Sequence, residues 1–157
     1  RLPNVGASLQ KAGVDKGLSR VFPLVFTTGR IVEYEGSGEE TRSNKWLAEL
    51  QQEMFAEINP ADAAERNVKD GTWIWVTGPN AKAKVKALVT ERVAKGVVWM
   101  PYHFGGWFDG KDLRANYPAG TDPIVLGESA NTLTTYGYDP ATGMQEPKTT
   151  LCQVSAA

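Results

Sequence analysis

Residues 26–42, FTTGRIVEYEGSGEETR, decide how the rest of the chain is read. The stretch is entered from an apolar run, Val21, Phe22, Leu24, Val25 and Phe26, interrupted only by Pro23, which predicts a buried strand over 21–30. The run breaks at Thr27-Thr28-Gly29-Arg30 and continues through Gly36-Ser37-Gly38 to a helical pattern at 45–55. A strand ending this way presents hydroxyls, bare backbone amides and a guanidinium at one edge of a sheet or barrel. Glycine lets the backbone approach a ligand closely, and the planar arginine fork can donate two parallel hydrogen bonds to a phosphate. A phosphate, or a group carrying one, is the first ligand expected here, although Thr-Gly-Arg also serves as an ordinary turn.

The 157 residues, 41% of them hydrophobic, suffice for one domain with a real core. A net charge of −1 supplies no global basic field for nucleic acid, and the lysines between Lys82 and Lys86 are the one local candidate. No apolar run approaches the length of a membrane span, so direct membrane insertion is not expected. The single Cys152 excludes an internal disulfide and any multi-cysteine metal or iron–sulfur site, and the single His103 excludes paired-histidine zinc motifs. The first residue is Arg1, and residues 1–20 are polar and Gly-rich with little periodicity. They read as a former interdomain linker of a longer polypeptide, with 21–157 as the domain proper.

Downstream, KWLAELQQEMF at 45–55 places Trp46, Leu50 and Met54 on one helical face with Leu47 beside them, and Ser43 or Asn44 can cap it. That stripe is expected in the core. Ile58 closes a short strand; Asn59, Pro60 and Asp62 then fall at the N-cap, first and third positions of a short helix running to about Arg66. Capping alone accounts for both polar residues. Strand 72–76, TWIWV, is apolar on both faces, which predicts that both are covered. Strand 81–89 turns Ala83, Val85, Ala87 and Val89 inward and Lys82, Lys84 and Lys86 outward, a solvated face that would blunt a sheet edge. A buried strand at 96–100 feeds PYHFGGWFDG at 101–110, a loop of the kind that folds over a ligand or packs on a partner. Residues 114–127 are expected to be irregular, 128–143 carry a polar cluster, and a strand at 148–154 ends the domain. Short strands, two modest helices and long loops predict a mainly β (α+β) barrel with helical insertions. No GxGxxG opens the helix after the Thr-Gly-Arg strand, which argues against a doubly wound dinucleotide fold.

Taken in order, TTGR, INPADAAE, KDG, the strand pair, GVVWMPYHFG, ANTLT and DPATGMQEPKTTLC resemble the C-terminal dinucleotide-binding domain of dimethyl sulfoxide reductase-type molybdopterin oxidoreductases. The likeness covers about 21–154. WMPYHFGGW, ANTLTTYGYDP and QEPKTTLC bring it nearest to the catalytic subunit of formate dehydrogenase. The resemblance implies a double-psi β-barrel holding a molybdopterin guanine dinucleotide cofactor, whose molybdenum or tungsten is carried by the full subunit. Cofactor-binding residues implied by it are Thr28, Gly29, Arg30, Tyr34, Gly36 and Ser37 after the first strand, Asn59 and Asp62 near a guanine, and Asn131 before Leu-Thr. Many relatives carry histidine where Tyr34 stands, and a lysine where this chain has Thr150, with Lys148 the nearest charge. Cys152 is read as a buried structural residue, and His103 as packing beside a substrate funnel.

Formate oxidation to CO2 in such enzymes needs a cysteine or selenocysteine ligand to the metal, a nearby histidine and arginine, and a cysteine quartet for an iron–sulfur cluster. One cysteine and one histidine in other contexts cannot assemble these. The resemblance therefore implies an inactive fragment whose task is binding. Its partners would be the remaining domains of the catalytic subunit and an iron–sulfur electron-transfer subunit, with the cluster outside this chain. It also implies a soluble bacterial domain, cytoplasmic or periplasmic, free or in a membrane-associated complex, with Trp107, Phe108 and the 29–38 loop laid bare by excision. A free-standing molybdopterin-binding subunit of a multi-subunit enzyme remains an alternative reading, as does a cofactor-free double-psi barrel used as a binding module.

Overall fold

The first and last strands of the domain pair with each other. In a computed structural model, which describes residues 17–120, 126–134, 141–145 and 148–157, strand β1 (Leu24–Gly29) runs antiparallel to β9 (Thr150–Ala156), with Leu24 opposite Cys152 and Phe26 opposite Thr150. This pairing closes a barrel with β2 (Phe55–Ile58), β3 (Trp73–Thr77), β4 (Lys82–Val89) and β5 (Val97–Pro101), in the order β1-β5-β2-β4-β3-β9. Two pairings are parallel, β1 with β5 and β2 with β4, and an antiparallel β2–β5 contact joins them. The interlocked parallel crossovers make it a double-psi barrel, as the resemblance implied.

Period-two alternation fills the bore. Phe26, Ile58, Ile74, Val76, Val98 and Met100 are fully buried, and Ala56, Ala83 and Ala87 are the small residues that a narrow six-stranded barrel requires. Strand β4 has the expected inward alanines and valine, but its lysines do not blunt an edge: β4 lies between β2 and β3. The lysines instead lie over the indoles of Trp73 and Trp75.

Several expected elements are differently bounded. The apolar run from Val21 is not one strand. Leu18–Val21 forms a helical turn, α1, whose Leu18 carbonyl accepts from Phe22 N–H, and Pro23, which has no N–H to give a ladder, delays β1 to Leu24. This turn crosses the expected boundary between linker and domain; residues 1–16 of that linker lie outside the described residues.

The expected helix at 45–55 is cut to α2 (Lys45–Leu50), capped by Asn44 Oδ1, which accepts from the N–H groups of Trp46 and Leu47. Gln51 is already extended, and its carbonyl accepts from the Tyr34 hydroxyl at 2.6 Å. The stripe is therefore split. Ala48 and Met54 are buried, whereas Trp46 and Leu50 are 78% and 67% exposed. Helix α3 (Pro60–Glu65) has the expected Asn59 cap.

The aromatic and glycine-rich stretch after β5 is not a loop throughout. Gly105–Phe108 forms β6, which turns through Asp109-Gly110, both at positive φ (52° and 76°), into β7 (Lys111–Asp112). Asp-Gly is the residue pair that such a tight hairpin turn favours. The 114–127 stretch, expected to be irregular, contains a 3-10 turn at Arg114–Asn116 and enters β8 (Leu126–Glu128), which pairs in parallel with β6. This small sheet covers the Trp face of the barrel, as the TWIWV pattern predicted: Trp107 stacks on Trp73 at 5.8 Å, and Gly110 abuts Trp75 so closely that a side chain there would collide with the indole. Trp107 is thus packed, and Phe108 remains exposed.

One buried carboxylate joins the two sheets. Strand β4 outruns β2, so the amide of Lys84 has no ladder partner there; Glu128 Oε1 accepts from it at 3.1 Å and from Gly110 N–H at 2.6 Å. Among the described residues no helix is long and apolar enough to cross a membrane. Because Glu128 satisfies two amides, Glu128→Leu leaves both unpaired and should cost about 2–4 kcal/mol in urea unfolding. Glu128→Gln keeps an acceptor oxygen and should recover most of that. A leucine variant as stable as the wild type would refute this role.

Candidate functional site

Strands β1 and β5 are parallel and end together, at Gly29 and Pro101, where β9 begins. Their shared mouth gathers Arg30, the 31–44 loop, Tyr102, a 3-10 turn at Ala130–Thr132 and Lys148. These segments enclose a cleft of about 390 Å³ lined by Arg30, Ser37, Arg42, Asn131 and Lys148, with Glu39 as the carboxylate of its described wall. Tyr102 and Phe104 form the aromatic side.

The Arg30 guanidinium rests on the Tyr102 ring, 4.5 Å from its centroid, and one Nη lies 3.4 Å from the Gly29 carbonyl. Arg42 packs over Gly105, its Nη1 3.3 Å from where a β-carbon there would stand. Neither guanidinium has a carboxylate within ion-pair distance among the described residues. Two arginine forks held by aromatic and backbone packing in one cleft favour an anion. Inside the barrel at the same mouth, the hydroxyls of Thr28 and Thr150 are buried without a hydrogen-bond partner among the described residues. Buried hydroxyls in folded proteins are rarely left so.

The remaining residues suggested by the sequence fall in three places. Ser37 and Asn131 line the cleft with Arg30. Gly29, Tyr34 and Gly36 lie beside or beneath it. The absence of a side chain at Gly29 is demanded by packing, since a β-carbon would stand 2.5 Å from Trp99 Nε1. Tyr34 is 4% exposed, its hydroxyl is committed to Gln51, and burial, helped by the charge of Glu33, pushes its pKa upward. The Gly36 carbonyl accepts from His103 Nε2 at 3.0 Å, which fixes the proton on that nitrogen.

Asn59 and Asp62 lie at the opposite mouth, because Ile58 pairs with Val98 at the start of β5. There Asn59 Oδ1 accepts from Ala61 N–H and its Nδ2 donates to Val93 O, while Asp62 Oδ2 accepts from Gly96 N–H at 2.6 Å. Sequence reasoning missed Arg42. The available signal was a second arginine closing the same stretch that Arg30 opens, with glycines between to fold it back. Cys152 is buried, and burial pushes its thiol up to about 12, as befits a packing residue. No cluster of three metal-ligating side chains occurs among the described residues.

The structure thus combines a closed barrel with a polar cleft at one mouth whose described charges are mostly cationic. Residues 24–151 match the family described as Molydopterin dinucleotide binding domain. The chain belongs to this molybdopterin dinucleotide-binding family. Over 140 residues it is 34% identical to F420-dependent formate dehydrogenase 2 subunit alpha of Methanococcus maripaludis, covering 89% of this chain and 17% of that protein. Over 83 residues it is 41% identical to F420-dependent formate dehydrogenase subunit alpha of Methanocaldococcus jannaschii, covering 53% of this chain and 12% of that one. The chain thus spans less than a fifth of either relative. Its fold is shared with acetylene hydratase from Pelobacter acetylenicus, with a TM-score of 0.72 at 16% identity, over 93% of this chain and 20% of that structure.

His103 gives the site a pH signature. Burial, the largest cause, lowers its pKa below 6.5, outweighing the bond to Gly36. The unfolded chain therefore binds a proton as pH falls through about 6.5 while the folded chain stays neutral, so stability is full above that pH and declines below it. As His103 is the chain's one histidine, urea midpoints should fall between pH 7 and pH 5.5, and His103→Gln, which keeps a donor for Gly36, should flatten the decline. An equally steep decline in the variant would exclude His103 as its source.

Proposed function

We propose that this domain holds the dinucleotide end of a molybdopterin guanine dinucleotide cofactor in the cleft at the β1–β5 mouth, within the catalytic subunit of a formate-oxidising enzyme. The observation that carries the reading is the presence of Arg30 and Arg42, two guanidinium forks with no carboxylate within ion-pair distance among the described residues, in one cleft with Lys148 and Asn131. The residues present fit the group. Arginine forks match phosphate oxygens, an asparagine amide offers donor and acceptor together to a pterin or guanine edge, and the buried hydroxyls of Thr28 and Thr150 have hydrogen bonds to give.

When bound, the cofactor supplies a molybdenum or tungsten centre for two-electron chemistry on the substrate. What this chain contributes is position: Arg30 is steadied on Tyr102, Arg42 over Gly105, and the 31–44 loop is pinned from beneath by Tyr34 and His103. The formate reaction rests on the relatives named above. A hydratase sharing the barrel warns that fold alone does not choose the reaction. The redox step and the iron–sulfur clusters belong to other domains and to an electron-transfer subunit. The exposed Trp46 and Leu50, one turn apart on α2, suit burial against a neighbouring domain of the same polypeptide.

Titration of the chain with GDP, followed by amide shifts, tests the cleft. Perturbations should centre on Arg30, Ser37, Arg42 and Asn131. Arg30→Ala and Arg42→Ala should each weaken binding about tenfold, which is about 1.4 kcal/mol. Shifts centred on Asn59 and Asp62 instead would move the nucleotide to the opposite mouth, and no shifts at saturating GDP would count against the cleft as its seat.

A further inference from the structure

Three consecutive residues after β5 support the cleft. The Tyr102 ring lies against the Arg30 guanidinium, Phe104 lines the cleft, and His103, fully buried between them, bears on the 31–44 loop. His103 Nε2 donates to the Gly36 carbonyl at 3.0 Å, and at Gly38 (φ 84°) a β-carbon would stand 3.1 Å from that of His103. The loop is folded around these two glycines. Gly38 N–H donates to the Glu35 carbonyl, Glu35 N–H to the Thr41 hydroxyl at 2.9 Å, and Arg42 N–H to the Gly38 carbonyl at 2.9 Å. Both arginines of the cleft are thus set by this tripeptide, Arg30 through Tyr102 and Arg42 through His103 and Gly38.

That support has one protonation state. Donation from Nε2 leaves Nδ1 as an acceptor, buried and without a hydrogen-bond partner among the described residues. A second proton would stand on Nδ1 with no acceptor and no water, a cost that lifting the loop relieves. The charges facing the ring do not offset it. Arg30 at the end of β1 opposes a proton, Glu33 and Glu35 on the loop favour one, and burial outweighs both carboxylates; the Tyr34 ring, 5.6 Å away, is neutral. We propose that His103 is a positioning residue that makes ligand binding in the cleft pH-dependent: its neutral ring seats the loop carrying Ser37, Glu39 and Arg42 opposite Arg30, and its protonated ring releases it. This deepens the reading of the cleft as a nucleotide site and rests on it. A ligand that needs the seated loop binds the neutral form. Affinity is therefore full above the imidazole pKa, itself below 6.5, and falls as pH drops through it. By linkage the bound ligand lowers that pKa in turn. Plain attraction to a bound anion would raise it, so the two causes have opposite signs.

The test uses the 157-residue chain and GDP-mannose. Both phosphates of this probe are esterified and hold their charge between pH 5 and pH 7.5, whereas a terminal phosphate titrates at about 6. Carboxylates titrate below this window. Binding should weaken at least about fivefold from pH 7.5 to pH 5. His103 supplies the chain's one imidazole resonance, so its titration is read without assignment, and its midpoint should move down when the probe is added. In the free chain the amide signals of Gly38 and Arg42 should follow the same titration. His103→Phe, which fills the space but has no donor for Gly36, should weaken binding at every pH. His103→Gln, which keeps a donor and takes no proton, should recover part of that loss and show no pH dependence. Circular dichroism checks that each protein is folded at both ends of the window. An affinity indifferent to pH, an equal decline in His103→Gln, or an imidazole midpoint that rises on binding would overturn the proposal and leave the cleft as the nucleotide site. Absence of binding at pH 7.5 would overturn both.

Discussion

The pairing of β1 with β9 is the constraint on which the rest of the molecule depends. It brings the two ends of the domain together, removes the free edges that a six-stranded sheet would otherwise show, and fixes Phe26 opposite Thr150. Because β1 is also parallel to β5, closing the barrel forces the ends of both strands and the start of β9 to one mouth. Arg30, Tyr102 and Lys148 arrive there from segments far apart in the chain without any of them having to reach. The cleft is therefore a consequence of strand direction before it is a matter of side-chain choice. A parallel pair leaves its loops at one end, and those loops are free to vary while the ladder holds them in place.

Glu128 performs a smaller version of the same task. The small β6–β7–β8 sheet has little core of its own, and it is held by the stacking of Trp107 on Trp73 and by one carboxylate bridging a barrel amide and a hairpin amide. An apolar residue at 128 could fill the space but could not answer two N–H groups cut off from water. The sheet in turn positions Gly105 beneath Arg42. A residue remote from the cleft thus supports one of its guanidinium groups through a short chain of contacts.

Much of the barrel was legible in the sequence because a strand half-buried in a bore writes its period directly. Ala83, Val85 and Ala87 against three lysines could be read in no other way, and Asn59-Pro60 announced its helix. What was not legible depended on contacts between distant segments. The stripe Trp46, Leu50 and Met54 has helical spacing, yet Tyr34, eleven residues before the helix begins, takes the Gln51 carbonyl and ends it. The position of β4 within the barrel cannot be inferred from β4 itself, so its lysines looked like an edge. The β6–β7 hairpin was different: its Asp109-Gly110 signal was present and was overshadowed by the aromatic content around it. At the site, Arg30, Ser37 and Asn131 line one cleft, and the place of Arg42 beside them was hidden by the fold of its loop.

Gly29 shows why a motif residue should be tested against packing before it is given to a ligand. In sequence it sits between a threonine and an arginine, where a bare backbone beside a phosphate is the natural reading. In the structure the space that a side chain would take belongs to the Trp99 indole, and the glycine carbonyl accepts from Tyr102 N–H. That bond, with the cation–π contact above it, sets the ring on which Arg30 rests. The glycine therefore acts on the cleft through the wall it permits, by letting β1 and β5 lie close enough for Tyr102 to carry the guanidinium. Thr28 differs from it by one residue and by one face: its side chain points into the barrel and is buried there, its hydroxyl without a hydrogen-bond partner among the described residues.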